Sequence, residues 1–324
     1  MKRQVCQCGA WALWLWVLGA AVWQADVCAQ TPHVFELHYQ YLPNITLPER
    51  GGTPLRVQSF DTGLHVPIPL PTRGFVMPGI HYHADALEFA RTPSEWTPEP
   101  TFHALELPVQ LMQLLAPNWR LQVRVVPELA GDFRAVDSRM FRLSGYALVD
   151  YRFSQRLALG VGAGASYLLG SLLPLPFVYV VARPHTRIAL EGFLPAFANA
   201  KFLVNEVLEV GLRAELAGHL YAVRDTGRWP CVARIDNPTT PDNEALARTS
   251  QCFDNLAYSV ASVGVQVALQ SFGAFWLTAY FGRTVYRRFE QRASDGDRIP
   301  DAIEHLPDAF LLRFTLSLRL GGGI

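Results

Sequence analysis

The stretch FRLSGYALVDYRFSQRLALGVGAGASY, Phe141 to Tyr167, decides the fold. Phe141, Leu143, Gly145, Ala147, Val149, Tyr151 and Phe153 fall on one parity. Arg142, Ser144, Tyr146, Leu148, Asp150 and Arg152 fall on the other. The phase breaks at Ser154-Gln155. Leu157, Leu159, Val161, Ala163, Ala165 and Tyr167 then resume it, against Ala158, Gly160, Gly162, Gly164 and Ser166. A period of two gives a strand one apolar face and one that is not. Each half is long enough to cross a bilayer as a tilted strand, which takes about 9–11 residues. Aromatic residues near the ends suit the membrane–water boundaries. The stretch therefore reads as one hairpin of a transmembrane β-barrel.

The pattern recurs along the chain between clusters of Pro, Gly, Asn and Asp. Strands are predicted near 34–42, 55–66, 75–89, 102–114, 119–130, 177–182, 186–194, 197–204, 207–223, 255–269, 274–289 and 310–320, with 55–66 and 75–89 the least cleanly patterned. Connections near 115–118, 154–155, 184–185, 205–206 and 270–273 are short, whereas those at 90–101, 131–139, 224–254 and 290–307 are long. Outer-membrane barrels alternate short periplasmic turns with longer external loops. This order yields an antiparallel up-and-down barrel of about 14 strands with both termini on the periplasmic side; 12 strands is the alternative count.

Charge follows the same parity. Arg120, Arg124, Arg142, Asp150, Arg152, Glu209, Arg213, Glu215, His219, Arg313 and Arg319 stand opposite the apolar stripe. An arginine facing lipid near the midplane costs about 2–4 kcal/mol, so these side chains are expected to line the lumen. A membrane helix over Leu157–Ala182 is uncharged and long enough, but four glycines, two prolines and alternating flanks oppose it. A soluble β-sandwich would also alternate, with a polar outward face and shorter strands.

Composition agrees with an exported envelope protein. Formal net charge over the 324 residues is zero, which excludes the basic footprint of a dedicated nucleic-acid binder. Lys2 and Arg3 precede an apolar run from about Gly9 to Val22, and Val27-Cys28-Ala29 reads as a cleavage site. Residues 1–29 are thus expected to be a signal peptide and 30–324 the barrel domain. Cys231 and Cys252 remain in the mature chain, in a long polar connection, and are expected to form a disulfide that ties this external loop.

Several short stretches add a resemblance. Leu64-His65-Val66-Pro67, Ala116-Pro117-Asn118-Trp119-Arg120-Leu121, Gly192-Phe193-Leu194-Pro195 and Ala200-Lys201-Phe202-Leu203-Val204-Asn205-Glu206 are similar to those of a family of bacterial outer-membrane β-barrels of unassigned function. The resemblance implies a fold and an outer-membrane location in a Gram-negative bacterium, with lipid and the barrel-assembly machinery as partners. It brings no catalytic residues. Barrels of this kind often end on an aromatic residue; here Gly-Gly-Gly-Ile follows the last strand, leaving Phe314 to serve from within.

Chemistry-bearing patterns are few. His81, His83 and Asp85 share one parity and could converge on a cation, although alternating polar residues are ordinary for a lumen-facing strand. No serine is tied by spacing to a histidine, so a lumenal hydrolase ranks third among the functions weighed. Gly160, Gly162 and Gly164 either leave room for something inside the wall or relax a tightly curved sheet; curvature is favoured. The reading is a porin-like barrel, not an enzyme and without a cofactor, that binds or passes a small solute in a charged lumen. The competing reading is a structural barrel that meets partners through its external loops.

Overall fold

A computed structural model of the chain describes residues 33–47, 53–92, 95–134, 136–223, 232–233, 250–251, 255–292 and 298–319. The expected signal segment, Cys231, Cys252 and the closing Gly-Gly-Gly-Ile lie outside the described residues. Fourteen strands form the wall. They are β1 (His33–Leu47), β2 (Thr53–His65, continued by Ile68–Leu70), β3 (Gly74–Thr92) and β4 (Glu95–Glu106 and Val109–Ala116). Next come β5 (Trp119–Gly131), β6 (Phe141–Ser154), β7 (Leu157–Ser166), β8 (Leu173–His185), β9 (Ile188–Leu194) and β10 (Phe197–Leu203). The series ends with β11 (Leu208–Ala222), β12 (Asn255–Phe272), β13 (Phe275–Arg292) and β14 (Arg298–His305 and Phe310–Arg319). Each strand pairs antiparallel with the next, and β14 returns to β1 through pairs such as Tyr39↔Phe314 and Leu37↔Leu316. Closure removes the free edges that an open sheet would present.

Parity sets which way each side chain points. Val149 lies opposite Val161 and Leu121 opposite Val149, all on the outer face, where Leu159, Val161, Leu212, Val265, Leu277, Phe281 and Phe314 stay exposed. An apolar surface running round the whole barrel far exceeds the few hundred Å² that soluble monomers expose. This belt rules out the soluble sandwich. Trp119, Tyr151 and Phe153 form an edge-to-face group at the short-turn rim, and Phe272 packs on Phe275 in the same rim, as interfacial girdles do.

The short turns are 71–73, 117–118, 155–156, 186–187, 204–207 and 273–274. Two of the expected long connections are shorter than predicted. Strand β3 runs to Thr92 and β4 starts at Glu95, and β14 already begins at Arg298. The prolines of 93–100 suggested a loop, yet irregular pairing between Ala86 and Glu88 and between Ala90 and Thr92 lets strand structure continue. Bulges accept residues that cannot donate to the ladder.

The wall is uneven in height. Strands β9 and β10 have 7 residues each, joined at Pro195-Ala196, while β12 and β13 have 18 each. The last β10–β11 pair is Phe197↔Glu215, but β11 continues to Ala222. That upper part crosses to β5, where Ala222 pairs with Gly131 and the Asp132 amide donates to the Ala222 carbonyl at 3.1 Å. A Cβ on Gly131 would sit 2.7 Å from that carbonyl, so the contact requires glycine. Behind it the 167–172 connection tucks against β11 and β12: the Leu168 carbonyl meets the bare Gly218, and Gly170, at φ +72°, meets Ala257. At the long-loop rim the barrel is therefore a narrower ring from which β6–β10 are left out.

Two separate apolar cores follow from this pinch. Leu42, Leu55, Val57, Leu87, Phe102, Ala130, Tyr221, Leu256, Tyr258, Tyr280, Phe289 and Leu311 fill the narrowed end, and every strand that contributes belongs to the ring. This plug explains the blurred alternation of 55–66 and 75–89, whose inward residues are apolar toward that end and polar beyond it. The second core, Leu148, Tyr179 and Val181 with Tyr146 and Phe193, belongs to β6, β8 and β9.

Candidate lumenal site

Between these two cores lies a cavity of about 290 Å³. One wall is polar, with Glu106 from β4, Arg124 and Glu128 from β5 and His219 from β11. The opposite wall is aromatic, with Tyr146, Phe177 and Phe193, whose ring centroids stand 4.7–5.7 Å apart. Tyr146 on β6 and Phe177 on β8 meet across β7 because β7 has no side chain there. Cβ atoms on Gly162 and Gly164 would come within 2.2 Å of the Ala147 and Gly145 carbonyls of β6. The glycine stripe thus serves close, curved packing, and the room above it is taken by the neighbours' rings.

Residues of the lipid-facing parity also border the cavity: Ala165, Leu216 and Gly218, with Ala196 of the β9–β10 turn. The cavity thus reaches the wall where it is lowest, beside the Leu216 amide, which donates to the Ala196 carbonyl at 2.8 Å, and beneath the 167–172 connection.

The charged residues singled out by parity form compact groups below and around the cavity. Arg120 donates to Asp150 at 2.8 Å and Gln122 to the same oxygen at 2.9 Å, with the Arg120 guanidinium over the Tyr179 ring. Glu215 takes Arg213 at 2.8 Å and Arg313 through two contacts, and Arg313 also reaches Gln40. Glu209 lies 3.3 Å from Arg319, which caps the Trp276 ring at 4.4 Å. Arg124 borders the cavity, and Arg152 sits half-buried near the short-turn rim. Arg142 is elsewhere: it donates to Asn255 at 2.9 Å and to carbonyls of Arg139 and Phe141, tying the β5–β6 connection to β12 near the pinch.

His81, His83 and Asp85 are drawn into a carboxylate network rather than onto one point. His81 bonds Asp61 at 2.8 Å and lies 3.3 Å from Glu106; His83 lies 3.1 Å from Asp85. Asp85 also accepts from Ser59 at 2.5 Å and Tyr221 at 2.8 Å. Among the described residues, one trio brings three ligand atoms within 4.8 Å of one another, and it is Glu106, Glu128 and His219. The alternation places His219 and Glu128 on the parity opposite the apolar stripe, but it singles out neither Glu128 nor Glu106 as a site residue. Glu128 shares its parity with Arg124 on β5, and the β4–β5 register sets Glu106 opposite Glu128; what joins them to His219 is the β5–β11 crossing, which no periodicity shows.

The fold and site define a transmembrane β-barrel with a partly filled lumen. Residues 79–235 match a family described as a domain of unknown function, DUF6268, in keeping with the resemblance to barrels of unassigned function. No curated protein matches the chain. Among solved structures, it is similar to the COG4313 outer membrane channel from Pseudomonas putida F1, at 9% identity over 89% of this chain and 96% of that one, with a TM-score of 0.45. The Pseudomonas putida toluene transporter TodX is similar at 9% identity over 91% and 93%, TM-score 0.36. Pseudomonas putida OprB in its low-pH form is similar at 10% identity over 98% and 99%, TM-score 0.36.

Proposed function

We propose that this is an outer-membrane barrel, inserted in lipid by the barrel-assembly machinery, that binds a small amphiphilic solute in the cavity and passes it through the low wall at Pro195-Ala196. The cavity carries this reading: charged groups on one side, three aromatic rings on the other, and a border that reaches the outer parity. The plug supports a sideways route, because Leu42, Leu55, Val57 and Phe102 are fully buried where an axial path would leave the barrel. Inward of the cavity, the groups around Glu215 and Arg120 offer the solute a polar surface toward the short-turn side. A solute with a charged head and an apolar body fits both walls at once.

Equilibrium dialysis of the detergent-solubilised barrel with phenylalanine, which carries both charges at one end and a ring at the other, tests this. Binding is expected for phenylalanine and not for glycine. Ala217→Trp, which fills the cavity, is expected to weaken it about tenfold, the equivalent of about 1.4 kcal/mol. Equal binding of the two amino acids, or no effect of the tryptophan, would overturn the reading.

A further inference from the structure

We infer that Glu106, Glu128 and His219 form a binding site for one divalent transition-metal ion in the wall of the cavity. Their ligand atoms already lie within 4.8 Å of one another. A small side-chain adjustment brings such a trio onto an ion at about 2.0–2.2 Å. Glu128 is 8% exposed, and its Oε1 is buried without a hydrogen-bond partner. A carboxylate in that state is costly unless a cation meets it. The nearest basic atom, His219 Nδ1, is 4.0 Å away, beyond hydrogen-bond reach and suited to an ion between them.

The surroundings hold the ligands in place. The His219 ring stacks on His83 with centroids 4.3 Å apart and planes 12° apart, and Glu106 has His81 beside it at 3.3 Å. Packing against a ligand's ring and a polar group beside a ligand carboxylate both restrict the rotamers that would hold an ion. Two carboxylates and one imidazole balance a dication's charge, and the nitrogen favours a transition ion over calcium or magnesium. Three protein ligands from three strands leave at least one position facing the cavity, for water or an oxygen of a bound solute.

The test uses the full, untagged barrel in detergent, stripped with a chelator and titrated with zinc alone by calorimetry. One zinc per chain is expected. Glu128→Gln and His219→Ala are each expected to weaken it by about tenfold or more, while His185→Ala, at the exposed short-turn rim, and the double variant Cys231→Ser/Cys252→Ser retain it. No zinc bound by the wild type, or unchanged affinity in folded Glu128→Gln and His219→Ala, would overturn the site. Cobalt loading of the wild type gives a check that needs no variant: a ligand-field spectrum free of thiolate charge-transfer bands is expected, and a thiolate band contradicts the assignment. Neither measurement depends on whether solutes pass.

Discussion

Gly162→Val is expected to remove most of the folded barrel recovered from membranes, read as loss of the form whose gel mobility shifts on heating. A Cβ at position 162 would lie 2.2 Å from the Ala147 carbonyl and 2.4 Å from the Leu148 Cβ. Backbone lies on the near side, so no side-chain rotation relieves the clash, and β6 and β7 must part. Overpacking a well-fitted interior costs about 1–3 kcal/mol for an added methylene or two, and valine here displaces strand from strand, so about 3 kcal/mol or more is expected. Gly192→Ala is the contrast. Its new Cβ would find its nearest atoms at 3.8 and 4.0 Å, ordinary contact, and the variant is expected to fold normally. Equal recovery of the two variants would remove the close-packing account of the glycine stripe.

Glu215→Leu is expected to have the second large effect. The carboxylate holds two guanidiniums, Arg213 and Arg313, and its side chain is 10% exposed. Removing one member of a buried pair leaves an uncompensated charge and costs about 3–5 kcal/mol. Arg213, at 31% side-chain exposure, keeps access to water and stacks on Phe197, so most of the penalty falls on Arg313. Gln40, at 2.6 Å, is a neutral partner and cannot replace the lost charge. The double variant Glu215→Leu/Arg313→Met is therefore expected to recover most of the loss. Urea titration of the barrel in detergent micelles reads the difference; a single variant as stable as wild type would show that water reaches this group freely.

The strands were legible because lipid and lumen impose opposite demands on alternate residues. All fourteen predicted segments correspond one to one with wall strands, from 34–42 in β1 to 310–320 in β14. Legibility fails toward the long-loop rim, around the plug. There the outward face need not be apolar and the inward face need not be polar, so Leu55, Val57 and Leu87 obscure the parity, and the prolines of 93–100 mimic a loop. Which charges share the parity opposite the apolar stripe is readable one at a time, but not their partners, because register around a closed ring relates residues as distant as Gln40 and Arg313. The crossing of β11 to β5 was least visible of all. Its only local trace is the brevity of β9 and β10 around Pro195-Ala196, and that crossing creates the plug, the cavity and the Glu106–Glu128–His219 trio together.

Phenylalanine flux into liposomes carrying the barrel, compared between wild type and Ala196→Trp, tests the sideways route most directly. Residue 196 borders the cavity at the proposed exit and lies outside both apolar cores. A rate about tenfold lower in the variant, the slowing that about 1.4 kcal/mol of added barrier produces, is predicted while the folded fraction stays unchanged. An unchanged rate, with the folded fraction equal, would contradict passage through the low wall.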